Sequence, residues 1–421
     1  MKKIRLAFIG AGSSYTPELF EKLGKMKDIL PVSEICLMDI DTQRLEIMAG
    51  FCRRFMDNID YHVHLSTTTD RAEAIRMADF VITQIRVGLN VARVQDEKIP
   101  LKYGLIGQET TGAGGFAKAL RTVPVMLDIA RDVENYNPDA WIINYTNPTG
   151  IVAEAVTRFT RAKIAALCGG GMHPANLLYR AFGIEHSRIK YDFFGLNHFN
   201  FSYNIMIDGR PITDDEFERV AELVGSVDKE IIMRLRLIPS YYCQYYYHNR
   251  RTVREETESP LTRGEKVQEI EAELFKLYAD PRVCTKPDLL SKRGGGGYAA
   301  TALGVINAIA NNIDTWAVVN VPNNGTVRIL PDEAVIETAC IVNQSGIKPL
   351  IIGKLPNSVW GFVCAVKNYE QLTVEAAVEG SREKALLALL AHPLVMDYEI
   401  ARPLLDDLLD ANKQWLPQFF S

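Results

Sequence analysis

The chain has 421 residues, 47% hydrophobic and 24% charged, with a formal net charge of −5, enough for a large core and for two lobes of ordinary globular composition. The acidic balance argues against nucleic acid or an anionic membrane surface as partner, and no apolar run is long enough to span a bilayer. Seven cysteines, at 36, 52, 168, 243, 284, 340 and 364, show no C-x-x-C spacing, which suits a reduced, cytoplasmic protein.

The start, MKKIRLAFIG, reads as a strand and not as a leader, because glycines interrupt the apolar stretch and no A-x-A-like site follows. Ile4 to Ile9 is a short buried strand of the parallel-sheet type. Gly10 and Gly12 punctuate it, and Thr16-Pro17 can open a helix, with threonine as the cap and proline at the first helical position. Strand, glycine turn and helix start make a dinucleotide-binding beginning, Gly10 for the tight turn and Gly12 for close approach to a pyrophosphate. Tyr15 occupies the third glycine position of G-x-G-x-x-G, so the motif is incomplete. The next strand, Ile35 to Met38, ends in Asp39, an acid suited to a ribose 2′-hydroxyl and therefore to NAD over NADP.

Further strands are expected at Phe80–Ile85, Trp141–Tyr145 and Ile164–Leu167, the last ending at Cys168, with a helix at Thr149–Phe159. This alternation over residues 1–195 predicts an α/β, Rossmann-like doubly wound parallel sheet with its site at the carboxyl ends of the strands. The polar and glycine residues cluster there: Gly10 and Gly12, Asp39, Arg86, Asn144 and Asn147, and Cys168. From 196 to 421 the alternation fades into a mixed α+β lobe. It holds a strand at Phe201–Ile207, helical stretches at 214–235, 264–279 and 299–311, a strand at Trp316–Val321 and a helical last quarter.

Cys168 and His198 lie thirty residues apart on two loops. A thiolate and an imidazole there could bind a divalent ion with open positions, although either residue also serves ordinary packing. Arg86, Arg93 and Arg293 are candidate anion contacts, and Arg293 precedes four glycines, Gly294–Gly297, whose amides can approach a ligand; the alternative is a solvated charge beside a turn. Five tyrosines crowd residues 241–247; such clusters are most often core or interface, and a tyrosine beside a metal or a cation can act as a base through a lowered pKa.

Together these pieces resemble the NAD- and manganese-dependent glycoside hydrolases of family four, most closely their 6-phospho-β-glucosidases. The resemblance runs nearly end to end, through FIGAGSSYTPEL at 8–19, IPLKYGLIGQETTGAGG at 99–115, INYTNPTG at 143–150, GLNH at 195–198, KRGG at 292–295, VNVPNNG at 319–325 and ALLALLAHPLV at 385–395. It implies a lactate/malate dehydrogenase-like architecture, with residues 1–195 binding NAD+ and 196–421 supplying catalytic and oligomer contacts. The implied reaction oxidises the sugar at C3, loses the C2 proton to a tyrosine base, eliminates the aglycone, adds water and reduces C3 again. NAD+ is then recycled and Mn2+, or another divalent metal, steadies the enediolate, outside the two-carboxylate scheme of most glycosidases. The substrate implied is a small phosphorylated glycoside and the assembly a homodimer or homotetramer.

Carried over position by position, Cys168 and His198 match the metal ligands, and Gly10, Gly12, Ser13 and Asp39 the dinucleotide contacts. Asn147 matches a position between cofactor and sugar hydroxyls, Glu109 one near those hydroxyls, and Arg93 and Arg293 positions near the 6-phosphate. Tyr242 aligns as the base, with Tyr241 as competitor. One departure stands out. Where family members carry Asn, Asp or His after the metal cysteine, this chain has Gly169, in Cys168-Gly169-Gly170-Gly171-Met172-His173.

Overall fold

The computed structural model describes residues 3–294 and 297–420. Six parallel strands come from the first half: β1 (Ile4–Ile9), β2 (Val32–Met38), β3 (His64–Thr68), β4 (Phe80–Thr83), β5 (Trp141–Asn144) and β6 (Lys163–Ala166). They lie in the order β3-β2-β1-β4-β5-β6, the doubly wound order in which the chain reverses beside β1 and leaves a crevice at the strand ends. The run Leu6 to Ile9 is buried, because helices cover both faces and no face needs polar side chains.

The second half builds a smaller antiparallel sheet from β7 (Ile189–Leu196), β8 (Phe199–Ile207), β9 (Arg210–Pro211) and β10 (Ile238–Pro239). It then returns to the first sheet. β11 (Thr315–Pro322) lies beside β6, and β12 (Val335–Asn343) and β13 (Gly346–Pro349) extend it further, all antiparallel. The large sheet therefore has nine strands and continues across residue 195. One buried cluster joins Leu6, Phe8 and Leu37 to Leu274, Tyr278 and Ile306, so the two halves share a core.

Several local expectations are corrected. Tyr15, not Thr16, occupies the cap position of the first helix, and its side chain makes no capping bond. The Thr16 hydroxyl instead donates to the Ala11 carbonyl at 2.8 Å and accepts from Gln84 Nε2 at 2.8 Å, pinning the glycine turn to the end of β4. The helical stretch at 214–235 is two helices, Asp214–Val224 and Lys229–Leu235, broken where Gly225 turns left-handed at φ +69°. The last quarter contains the β12–β13 hairpin before its helices begin. A 25-residue helix, Gly112–Tyr136, was not foreseen, since three glycines in its first turn oppose helix propensity. No described helix is long and apolar enough to cross a membrane.

Candidate active site

The β1 turn is tightly closed. Gly10 and Ala11 donate their N–H groups to the Met38 carbonyl at 3.0 and 2.9 Å, and Gly12 donates to Asp39 Oδ2 at 2.7 Å. A Cβ on Gly12 would meet Asp39 Oδ2 and Arg44 Cβ, both at 2.9 Å. Glycine is thus required by the protein's own neighbours as well as by any ligand. Asp39 Oδ1 accepts from the Asp41 N–H at 3.0 Å, which leaves further lone pairs for a ribose hydroxyl. Ser13 is partly exposed beside the turn. Glu271, on the helix Arg263–Ala279, accepts from Ser14 at 2.8 Å and Asn90 at 3.0 Å and pairs with Arg44 at 3.1 Å. Arg44 is thereby neutralised, so it offers no free cation for a 2′-phosphate. These donors and acceptors fit NAD+.

At the end of β6, Cys168 Sγ lies 3.8 Å from His198 Nε2. His198 sits in the β7–β8 turn at φ +66°. Two ligands bound to one ion at about 2.3 and 2.1 Å stand roughly 3.1–3.6 Å apart, so the 3.8 Å pair is slightly wider and closes on a shared divalent ion with a shift of a few tenths of an ångström. Among the described residues no third His, Cys, Asp or Glu completes a metal cluster. The chain would supply two donors, and substrate or water the rest. Burial pushes the Cys168 thiol up to about 12, with the Glu337 charge adding to it, and pushes the His198 imidazole down to about 4. A bound cation would take the place of the thiol proton.

Tyr242 stacks on His198, ring centroids 3.8 Å apart and planes 20° from parallel. Tyr241 is 55% exposed and meets Tyr242 edge-on. Both line a cavity of ≈ 140 Å³ together with Cys168, Gly169, Gly170, His173, Asn176, His198, Asn200 and Ser240. Burial, then the charges of Cys168 and Glu109, raise the Tyr242 pKa. A divalent cation at Cys168 and His198 acts in the opposite sense.

Glu109 does not stand free near the cavity. It pairs with Arg86, with Arg93 at 3.2 Å and with Lys118 at 2.8 Å, and these cations hold its carboxyl well below the usual range despite burial. Arg93 also donates to Glu97 at 2.9 Å. Arg293 lies over the Tyr15 ring at 5.5 Å, and its Nε is buried without a hydrogen-bond partner. Of the glycines after it, Gly295 and Gly296 lie outside the described residues. Asn147 Oδ1 accepts from the Thr149 hydroxyl at 3.1 Å, which holds the loop after β5.

Sequence reasoning missed Lys118, Glu337 and Tyr298. Burial, with Arg86 next, depresses Lys118 to about 7; its signal was a single lysine in the otherwise apolar run Phe116–Leu120. Glu337 is fully buried on β12, an isolated acid in Val335–Val342, and burial raises it to about 7. The Tyr298 hydroxyl lies 4.0 Å from Cys168 Sγ, and nothing in the local pattern marked it.

The sequence profile described as "Family 4 glycosyl hydrolase" matches residues 5–183, and that described as "Family 4 glycosyl hydrolase C-terminal domain" matches residues 193–395. A protein named "Probable 6-phospho-beta-glucosidase" from Bacillus subtilis (strain 168) is 39% identical over 436 residues, covering 100% of this chain and 99% of its own length. "Phospho-alpha-glucosidase PagL" from Clostridium acetobutylicum is 30% identical over 450 residues, covering 98% of each. The 6-phospho-beta glucosidase of Thermotoga maritima, solved with manganese, NAD+ and glucose-6-phosphate, superposes with a TM-score of 0.90 at 34% identity, covering 98% of this chain and 99% of that one. A malate dehydrogenase from Cryptosporidium parvum, 14% identical with a TM-score of 0.54, shares the fold. The dehydrogenase-like sheet, the full-length matches and the two family profiles agree, and the chain belongs to glycosyl hydrolase family 4 and is a glycosidase.

Proposed function

We propose that this protein hydrolyses 6-phospho-β-glucosides with recycled NAD+ and a divalent metal, Mn2+, held by Cys168 and His198. The observation that carries the reading is the Cys168–His198–Tyr242 stack at the end of β6. When bound, NAD+ supplies a hydride acceptor that is restored each turnover, and Mn2+ a Lewis acid for sugar oxygens. Tyr242 takes the C2 proton at its phenolic oxygen, and Tyr241 is the alternative base. Arg293 and Arg93 hold the 6-phosphate, which the unpartnered buried Arg293 Nε supports. Asn147 and Glu109 orient the sugar hydroxyls. Gly10, Gly12, Ser13 and Asp39 hold the dinucleotide.

The β configuration is supported by the higher identity to the β-glucosidase relative, 39% against 30% for the α-glucosidase. Gly169 favours a second substrate reading, the same chemistry on an unphosphorylated or uronic-acid glycoside, because a hydrogen at this wall of the cavity cannot bond a phosphate or hydroxyl. A cytoplasmic homodimer or homotetramer belongs to the same proposal. Seven free cysteines support the first part, and Ile329 and Ile351, 54% and 86% exposed, support the second.

The test uses catalytic NAD+, Mn2+ and nitrophenyl β-glucoside 6-phosphate, with nitrophenol and NADH followed together. Many turnovers of nitrophenol without accumulating NADH, abolished by chelator, are expected. Steady NADH accumulation would overturn the recycling of NAD+. Turnover only of the α-anomer, or only of an unphosphorylated or uronic-acid glycoside, would overturn the substrate.

A further inference from the structure

Glu337 is a buried carboxylate that forms no ion pair among the described residues. Three asparagine amides surround it instead. Asn200 Nδ2 donates to Oε2 at 2.6 Å, while Asn320 Nδ2 and Asn197 Nδ2 donate to Oε1 at 3.2 and 3.4 Å. A buried charge held by amides alone is costly to keep. Its partners indicate what it holds.

Asn197 and Asn200 bracket His198, whose left-handed backbone at φ +66° must be held by its surroundings. Asn320 Nδ2 also donates to the Ala166 carbonyl at 3.2 Å, two residues before Cys168. The Asn200 carbonyl accepts the Ser240 N–H at 3.0 Å, two residues before Tyr242. From β12, then, one carboxylate reaches the segments bearing Cys168, His198 and Tyr242. Thr338, next along β12, donates its hydroxyl to the Phe193 carbonyl at 3.1 Å and clamps β7 at the same level.

We infer that Glu337 is a positioning residue for the Cys168–His198 pair, holding both arms close to metal-binding separation through Asn197, Asn200 and Asn320. This rests on the reading of Cys168 and His198 as the metal site. Groups that orient metal ligands from outside commonly change affinity 10–100-fold when altered. When ionised, Glu337 also adds a negative charge that favours a dication nearby. A merely structural carboxylate would stabilise the fold without affecting the ion.

The test titrates full-length protein, free of NAD+, with Mn2+ followed by electron paramagnetic resonance. Co2+ is added in parallel, its thiolate charge-transfer absorption reporting the Cys168 bond. Glu337→Gln is expected to weaken Mn2+ binding about 10–100-fold and to diminish or shift the cobalt band, with NAD+ affinity unchanged. Glu154→Gln serves as the control, because Glu154 is likewise buried, pairs with Lys367 at 2.7 Å and accepts the Val335 N–H of the same strand at 3.0 Å, but has no hydrogen bond to Asn197, Asn200 or Asn320 among the described residues; it should lower Tm and leave Mn2+ affinity alone. Glu337→Asp, which keeps the charge and shortens the reach, should be intermediate and covers the case in which Glu337→Gln does not fold. Wild-type Mn2+ affinity and cobalt spectrum in either folded Glu337 variant overturn the inference, as does an equal loss in Glu154→Gln. If His198→Ala binds Mn2+ as well as wild type, the metal reading itself fails and the inference falls with it.

Discussion

Two buried carboxylates act on Tyr242 from different surroundings, Glu109 among cations and Glu337 among amides. Arg86, Arg93 and Lys118 keep Glu109 ionised, whereas burial raises Glu337 to about 7 because three neutral amides offset only part of its desolvation. Burial alone therefore says little about a carboxyl group's state; the charge of its partners decides it. The Glu109 side carries the positive charge suited to an anionic sugar, and the Glu337 side, once ionised, carries an unbalanced negative charge suited to a cation.

Both carboxylates act on the charge of Tyr242. Tyr242→Phe should lower kcat by ~10²–10⁴-fold, the usual contribution of a positioned base, while Mn2+ affinity holds. If Tyr241→Phe produces that loss and Tyr242→Phe does not, the assignment reverses. On the cationic side, Glu109→Gln leaves three cations without their shared anion and should cost about 3–5 kcal/mol in a denaturant titration. A cost near zero would mean that the cations redistribute to Glu97 and Asp96.

A smaller effect is expected at the open wall of the cavity. With no side chain at Gly169 to protonate the departing oxygen, aryl substrates should exceed alkyl ones by at least about tenfold in kcat/KM. Equal rates would show that another group, His173 among them, supplies the proton. The smallest effect distinguishes the two carboxylates by pH. Glu337 titrates higher in the folded protein than unfolded, so its contribution to stability is present below about pH 4.5 and lost as pH rises through about 7. Glu109 titrates lower when folded, so its contribution holds above about pH 4.5 and is lost as pH falls. In metal-free protein, the Tm difference between wild type and Glu337→Gln should shrink with rising pH. The difference for Glu109→Gln should shrink with falling pH. Parallel slopes would remove the contrast.

Much of the nucleotide half was legible because its elements are local. Thr149–Phe159 is helical as its pattern predicts, and β1, β2 and β5 begin or end within a few residues of their apolar runs. β3 escaped notice because its strand, His64–Thr68, is polar and half exposed at the sheet edge. The return of β11–β13 to the first sheet was equally hidden, because pairing between residues 166 and 320 leaves no local trace.

At the site, the residue types at Cys168, His198, Tyr242, Arg93, Glu109 and Arg293 were written in motifs. The residues that surround them were not. Lys118 meets Glu109 across nine residues and a bend, and Glu337 meets Asn197 and Asn200 from about 140 residues away.

The β-strand, glycine turn and helix that begin the fold, the family, and the identities of the two metal-ligand candidates are legible in the order of residues alone. Those signals rest on short-range periodicity and on motifs read within a few residues. Which buried charges are paired, and which of the tyrosines lies against His198, follow from the folded arrangement. Electrostatic energy depends on distance and burial in space, and neither quantity is carried by position along the chain.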